Sequence, residues 1–145
     1  MPNPQQDIIM EKIFSFLDKH IEVALATVEN DRPRIRVFQI MARTAHTLYF
    51  ATSPTKQVYR QLRANPNIEI MASADNIFVR VAGRADFTVD DAMQRNIFLN
   101  NPVLPRLYSD YKALVYFKIE AQEMEYFDLT PTPPISAYYD LRNTP

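Results

Sequence analysis

The stretch EVALATVENDRPRIRVFQIMARTAHTLYFAT, residues 22–52, alternates with a period of two, and its reading decides the fold. Val23, Leu25 and Thr27 fall on one side of an extended chain, Glu29-Asn30-Asp31-Arg32-Pro33 marks a loop, and two further extended runs follow, Arg34 to Met41 and Thr47 to Ala51. Together they read as a β-meander. Asn30 and Asp31 accept positive φ more readily than most non-glycine residues, so they supply the turn that a glycine would otherwise make. That matters here, because the chain carries 11 Pro and a single glycine, Gly83.

Working outward, Pro4 to Lys19 reads as an amphipathic helix. Asn3 caps it, Pro4 suits the first helical position, and Ile9, Ile13, Phe16 and Leu17 recur at helical spacing. Beyond the meander, Ser53-Pro54 opens a short helix in which Val58 and Leu62 share a face, and Asn65-Pro66 stops it, since the residue before proline is pushed out of helical geometry. Strands follow at Ile68 to Ala72 and Ile77 to Phe87, the second bent at Gly83. Thr88-Val89-Asp90-Asp91 starts a helix to about Leu99, Val115, Phe117 and Ile119 mark a sixth strand with an extension from Glu125 to Leu129, and residues 130–145 form a Pro-rich extended tail. Helices inserted between strands, instead of alternating with them, predict an α+β chain whose core is a six-stranded, mostly antiparallel, closed or partly closed β-barrel. Residues 1–145 read as one domain, with residues 1–20 as its N-terminal helix.

Composition narrows the function. The absence of Cys, with only His20 and His46 as histidines, excludes thiol nucleophiles, iron–sulfur clusters and Cys-based zinc sites, and the expected compartment is the reducing cytoplasm. Charges interrupt every apolar run before membrane-spanning length, and a net charge of −1 argues against a broad nucleic-acid footprint. No metal site is expected. A single glycine also excludes the glycine-rich phosphate loops of dinucleotide-binding and P-loop folds. Any phosphate must be held another way.

Arg32, Arg34 and Arg36 recur at period two, which places three guanidinium groups on one strand face, where like charges repel. Arg32 and Arg34 at the hairpin end can fan into solvent, and Arg36 is the one expected to meet an anion. Lys56 falls in the first turn of the short helix, where the helix dipole disfavours a cation unless an anion is bound. Backbone N–H groups, the hydroxyls of Thr52, Ser53 and Thr55, the Lys56 ammonium and an arginine from a neighbouring strand would coordinate a phosphate without a glycine loop. The bland alternative is a surface lysine behind a capping serine. His20 and His46 read as cap or surface residues, Asp90-Asp91 as stabilisers of a helix start, and Tyr108, Tyr111, Tyr116, Tyr126 and Tyr138 as packing.

Arg36-Val37-Phe38-Gln39, then Leu48 through Lys56, then Leu62-Arg63-Ala64-Asn65-Pro66, in that order, resemble the FMN-binding split-barrel family whose best-known member is pyridoxamine 5′-phosphate oxidase. The resemblance implies a split β-barrel, and a homodimer with FMN at its interface. Arg36 and Lys56 would contact the phosphate. The backbone of Val37, Phe38 and Gln39 would run beside the flavin ring, with Thr52, Ser53 and Gln57 around the ribityl–phosphate region. Relatives of this fold also use the deazaflavin F420, and the residues leave F420 and haem open. Met41 stands where the oxidase carries a lysine for its substrate phosphate, Phe78 stands where it carries a glutamine, and the chain has no Trp. The resemblance therefore implies a flavin-dependent oxidoreductase acting on some other small molecule, with a non-catalytic flavin-binding or electron-transfer module as the alternative.

Overall fold

The computed structural model describes residues 3–142. Helix α1, Pro4–Lys19, starts where local chemistry dictates: the Asn3 side chain accepts from Gln5 N and Gln6 N at 3.0 and 3.2 Å. It buries Ile9, Met10, Ile13, Phe14 and Leu17 against the sheet. Strands β1, Glu22–Glu29, and β2, Arg32–Gln39, form a hairpin whose two turn residues, Asn30 and Asp31, sit at φ 50° and 62°. The remaining elements are β3 (Ala42–Thr44), β4 (Thr47–Thr52), α2 (Gln57–Ala64), β5 (Asn67–Ala74), β6 (Ile77–Asp86), α3 (Asp91–Asn100), α4 (Val103–Leu107), a 3₁₀ turn at Tyr111–Ala113, β7 (Val115–Glu120), β8 (Glu123–Asp128) and β9 (Ile135–Asp140).

The strands form one curled antiparallel sheet in the order β2-β1-β5-β6-β7-β4-β3, with β8 also on β6 and β9 on β8. This is the expected α+β split barrel, with nine strands among the described residues where the sequence pattern suggested six. The extra strands are β3, which is only three residues long, β8, which the pattern showed as an extension, and β9, which the Pro-rich run concealed. Residues 143–145 of the expected tail, and Met1 and Pro2 of the expected N-terminal segment, lie outside the described residues.

The meander is corrected. Ile40 N donates to Ile21 O at 2.8 Å, the chain then leaves β1, and β4 pairs with β3 and β7 instead of joining β2. Pairing with β7 sets Leu48 opposite Ile119 and Phe50 opposite Phe117, all buried, and the Phe50 and Phe117 rings stack with centroids 5.3 Å apart. Hydrophobic burial across distant strands therefore outweighed sequence proximity. The predicted bend at Gly83 is the point where β6 leaves β8 and takes up β7: residues Ile77–Ala82 pair with β8, and Ala85–Asp86 with β7.

A second, smaller core of Ala51, Val89, Ile97, Leu104, Leu114 and Tyr116 lies beneath α3 and α4. Asp90 caps α3, its carboxylate accepting from Met93 N at 2.7 Å. Tyr116 donates its hydroxyl to Tyr111 O at 2.9 Å, and burial pushes its phenol up to about 12.

Candidate functional site

The site grows from the N-terminal half of α2 and the strand that faces it. Of the three period-two arginines, Arg32 and Arg34 are exposed, and Arg34 makes a 3.4 Å surface pair with Glu29. Arg36 turns inward and is half-buried. Its Nη1 donates to Leu25 O at 3.2 Å and to Thr27 Oγ1 at 2.8 Å, and its Nη2 donates to Gln61 Oε1 at 2.5 Å. All three acceptors are neutral. Among the described residues no carboxylate comes within ion-pair distance of Arg36. Burial, and then the like charge of Arg34, pull its guanidinium below the ordinary arginine value, against a smaller opposing pull from Glu29.

Lys56 does not stand in the first turn of α2, as its spacing from Pro54 suggested. The Ser53 hydroxyl accepts from Thr55 N at 3.3 Å and bonds the Thr55 hydroxyl at 2.8 Å, while Lys56 N donates to Ser53 O at 3.1 Å. These bonds close a turn ahead of the helix, which begins at Gln57 with Lys56 as an extended N-cap. No side chain caps this helix and no acidic residue stands in its first turn, so its first N–H groups and the positive end of its dipole have no protein counter-charge. Lys56 makes no ion pair among the described residues. Just before the turn, Thr52 is 5% exposed and its Oγ1 is a buried hydroxyl without a hydrogen-bond partner among the described residues. Such an orphan is costly unless a ligand satisfies it.

Gln61 lies five residues beyond Lys56, about 7 Å along the helix axis, and its side chain leans toward the N-terminus. The contact with Gln61, the fifth of the eight residues of α2, sets Arg36 against the helix that Thr52, Ser53 and Lys56 precede and Gln57 opens. Of the ring-flanking residues, Val37 is 70% exposed, Phe38 packs inward against Phe50 and Phe117, and Gln39 is half-buried. β2 pairs with β1 alone and is an open sheet edge, so alternate backbone N–H and C=O groups along Val37–Gln39 face outward.

Sequence reasoning missed Gln61 and the anchoring role of Thr27. The signal was a polar residue inside each buried stripe: Gln61 between Val58 and Leu62 at helical spacing, and Thr27 in line with Val23 and Leu25.

The other candidates lie apart. His20 is the C-cap of α1 and packs on Phe16, and His46 stacks on Phe14. Among the described residues no group of three or more His, Cys, Asp or Glu side chains could hold a metal, and no helix is long and apolar enough to cross a membrane. A cavity of about 690 Å³ is bounded by Tyr49, Arg63, Arg84, Phe87 and Lys118 and includes none of the expected cofactor residues.

A family model described as pyridoxamine 5′-phosphate oxidase matches residues 9–130. General stress protein 26 of Bacillus subtilis (strain 168) is 27% identical over 139 residues, covering 91% of this chain and 96% of that protein. Among solved structures, general stress protein 26 from Bacillus anthracis str. Sterne has a TM-score of 0.74 at 22% identity, covering 90% of this chain and 98% of that one. A heme binding protein from Mycobacterium smegmatis has a TM-score of 0.75 at 16% identity, covering 97% of this chain and 59% of that one. At these identities the structural likeness speaks for the fold.

Proposed function

The chain belongs to the pyridoxamine 5′-phosphate oxidase family, and from that premise we propose that it is a flavoprotein which binds FMN at the N-terminal end of α2 and uses it to oxidise or reduce a small molecule. The family commonly binds flavin. The observation that carries the reading is the half-buried Arg36 guanidinium, bonded only to neutral acceptors and held against α2 by Gln61, together with the uncapped start of that helix and the orphaned Thr52 hydroxyl that precedes it. Each of these asks for an anionic or acceptor-rich ligand, and a phosphate monoester meets all of them.

The residues present fit FMN. Arg36 and Lys56 would neutralise its phosphate, the first N–H groups of α2 and the hydroxyls of Thr52 and Ser53 would bond the phosphate and ribityl oxygens, and Gln57, exposed on the first turn, would border the same region. Outward-facing backbone groups along Val37, Phe38 and Gln39 would meet the polar edge of the flavin ring. When bound, FMN supplies reversible two-electron chemistry, which explains a chain that needs no nucleophile or acid–base pair of its own. Met41 is half-buried and Phe78 lies against Phe127, and neither side chain offers the charge or amide that pyridoxamine phosphate recognition would use. The substrate is therefore a different small molecule.

Protein purified without added cofactor is expected to show a flavin absorption band, and the small molecule released on denaturation to have the mass of FMN. A colourless chain that takes up no FMN when it is offered would overturn the reading, and F420 or haem in the extract would replace the cofactor. Reduction of the bound flavin by a nicotinamide donor, followed by turnover, belongs to an oxidoreductase; a flavin that stays oxidised with every donor belongs to the binding or electron-transfer module.

The outer face of the sheet supports a second part of the reading. Register sets Val37 beside Ala24 and Ala24 beside Met71, with Ile35 beside Ala26 in the next row. Ile35 is 72% exposed, Val37 70%, Met71 44% and Phe78 37%. An eight-residue open edge next to an exposed apolar strip, bordered by the Arg80–Glu69 ion pair, invites pairing unless something covers it. A second copy of the chain, packed over this face and closing the exposed side of the cofactor, is the proposed cover. Solution mass at micromolar concentration is expected to be that of a dimer, and Val37→Glu with Met71→Glu is expected to give a folded monomer. A wild-type monomer would sink the dimer.

A further inference from the structure

We infer that Gln61 is a positioning residue for Arg36, holding its guanidinium so that one donor edge is left for the phosphate; this rests on the FMN reading above. Gln61 is 3% exposed on a helix face otherwise given to Val58 and Leu62. A primary amide in such a place is costly unless it is bonded. Its Oε1 accepts from Thr27 Oγ1 at 2.7 Å and from Arg36 Nη2 at 2.5 Å, and Thr27 Oγ1, 2% exposed, accepts from Arg36 Nη1 at 2.8 Å. The three side chains close a ring of hydrogen bonds. Because guanidinium only donates, the amide must present its oxygen here, and its Nε2 is turned toward Glu29 Oε2 at 3.5 Å.

The ring determines which part of Arg36 remains available. Of five guanidinium N–H donors, Nη1 uses its two on Leu25 O and Thr27 Oγ1, and Nη2 uses one on Gln61 Oε1. The Nε–H and the second Nη2–H remain, side by side on one edge of the plane. That edge is the parallel fork which meets two phosphate oxygens at once. Neutral acceptors at positions 27 and 61 hold the group without cancelling its charge, which is why an amide serves here and a carboxylate would not.

The test compares FMN with riboflavin, which lacks only the phosphate, by titrating each into stripped protein. Wild-type chain is expected to prefer FMN. Gln61→Glu puts a carboxylate against Arg36, and is expected to raise the FMN dissociation constant about 10- to 100-fold while leaving riboflavin nearly unchanged. Gln61→Met keeps the bulk without the acceptor, and is expected to reduce the FMN preference by a smaller factor; it also serves if the glutamate variant does not fold. FMN preference unchanged in the folded variants, or FMN and riboflavin weakened equally, would overturn the role of Gln61. A wild-type chain that binds FMN no better than riboflavin would instead overturn the phosphate reading itself, and Gln61's role with it.

Discussion

Arg36→Ala together with Lys56→Ala is expected to leave the purified protein without FMN. On the proposed reading each cation would contribute a charge-assisted bond to the phosphate worth roughly 1.5–3 kcal/mol, so losing both would cost about 3–6 kcal/mol, a rise in the dissociation constant of about 10²- to 10⁴-fold. The two changes differ in side effects. Lys56 is exposed, unpaired among the described residues and outside the helical ladder, so its removal should leave the fold as it is. Arg36 is half-buried, and its loss leaves Leu25 O without that donor while Thr27 and Gln61 keep each other. That costs about 1–3 kcal/mol of stability at most, which a folded chain can bear. The check is flavin content per chain together with a titration of added FMN, on protein shown by circular dichroism to be folded. Wild-type flavin content in the double variant would show that the phosphate, if bound, sits elsewhere.

Gly83→Ala is expected to destabilise the barrel sharply for so small a change. A Cβ on Gly83 would lie 2.5 Å from Ile119 Cγ2 and 2.7 Å from Glu120 O. Ile119 is wholly buried, and Glu120 is backbone in β7 opposite Thr47 of β4, so neither neighbour can move without opening the sheet. The same place joins the two halves of the sheet: Gln122 N donates to Ala82 O at 2.9 Å, and Ala85 stands opposite Ile119. Overpacking of this kind costs about 1–3 kcal/mol, and a clash with backbone belongs at the upper end. For a chain of this length about 3 kcal/mol lowers the melting temperature by about 10 °C. At an uncrowded position Gly→Ala would stabilise by up to about 1 kcal/mol through the unfolded state, so the sign of the change decides. A variant that melts at or above wild type would mean that β6 and β7 do not approach as closely as the contacts require.

Elements with local causes were legible in the sequence. Asn3 and Pro4 start α1, Asn30-Asp31 turn the first hairpin, Asp90 caps α3 and Asn65-Pro66 end α2, because capping and turn chemistry involve residues two to four apart. Arg36, Thr52, Ser53 and Lys56 were legible as phosphate candidates because charge and hydroxyl groups crowd where a dipole and like-charge repulsion leave them unbalanced.

What the sequence determined by itself was therefore the set of pieces: which runs extend, which coil, and which polar groups are left to find partners. Only the tertiary structure decided that β4 joins β7 instead of β2, that Lys56 stands at the N-cap position ahead of α2 instead of in its first turn, and that Arg36 is held by a glutamine 25 residues away. A period-two pattern says which face of a strand is buried but not which strand lies beside it, and the ring of Thr27, Arg36 and Gln61 exists only once β1, β2 and α2 have packed.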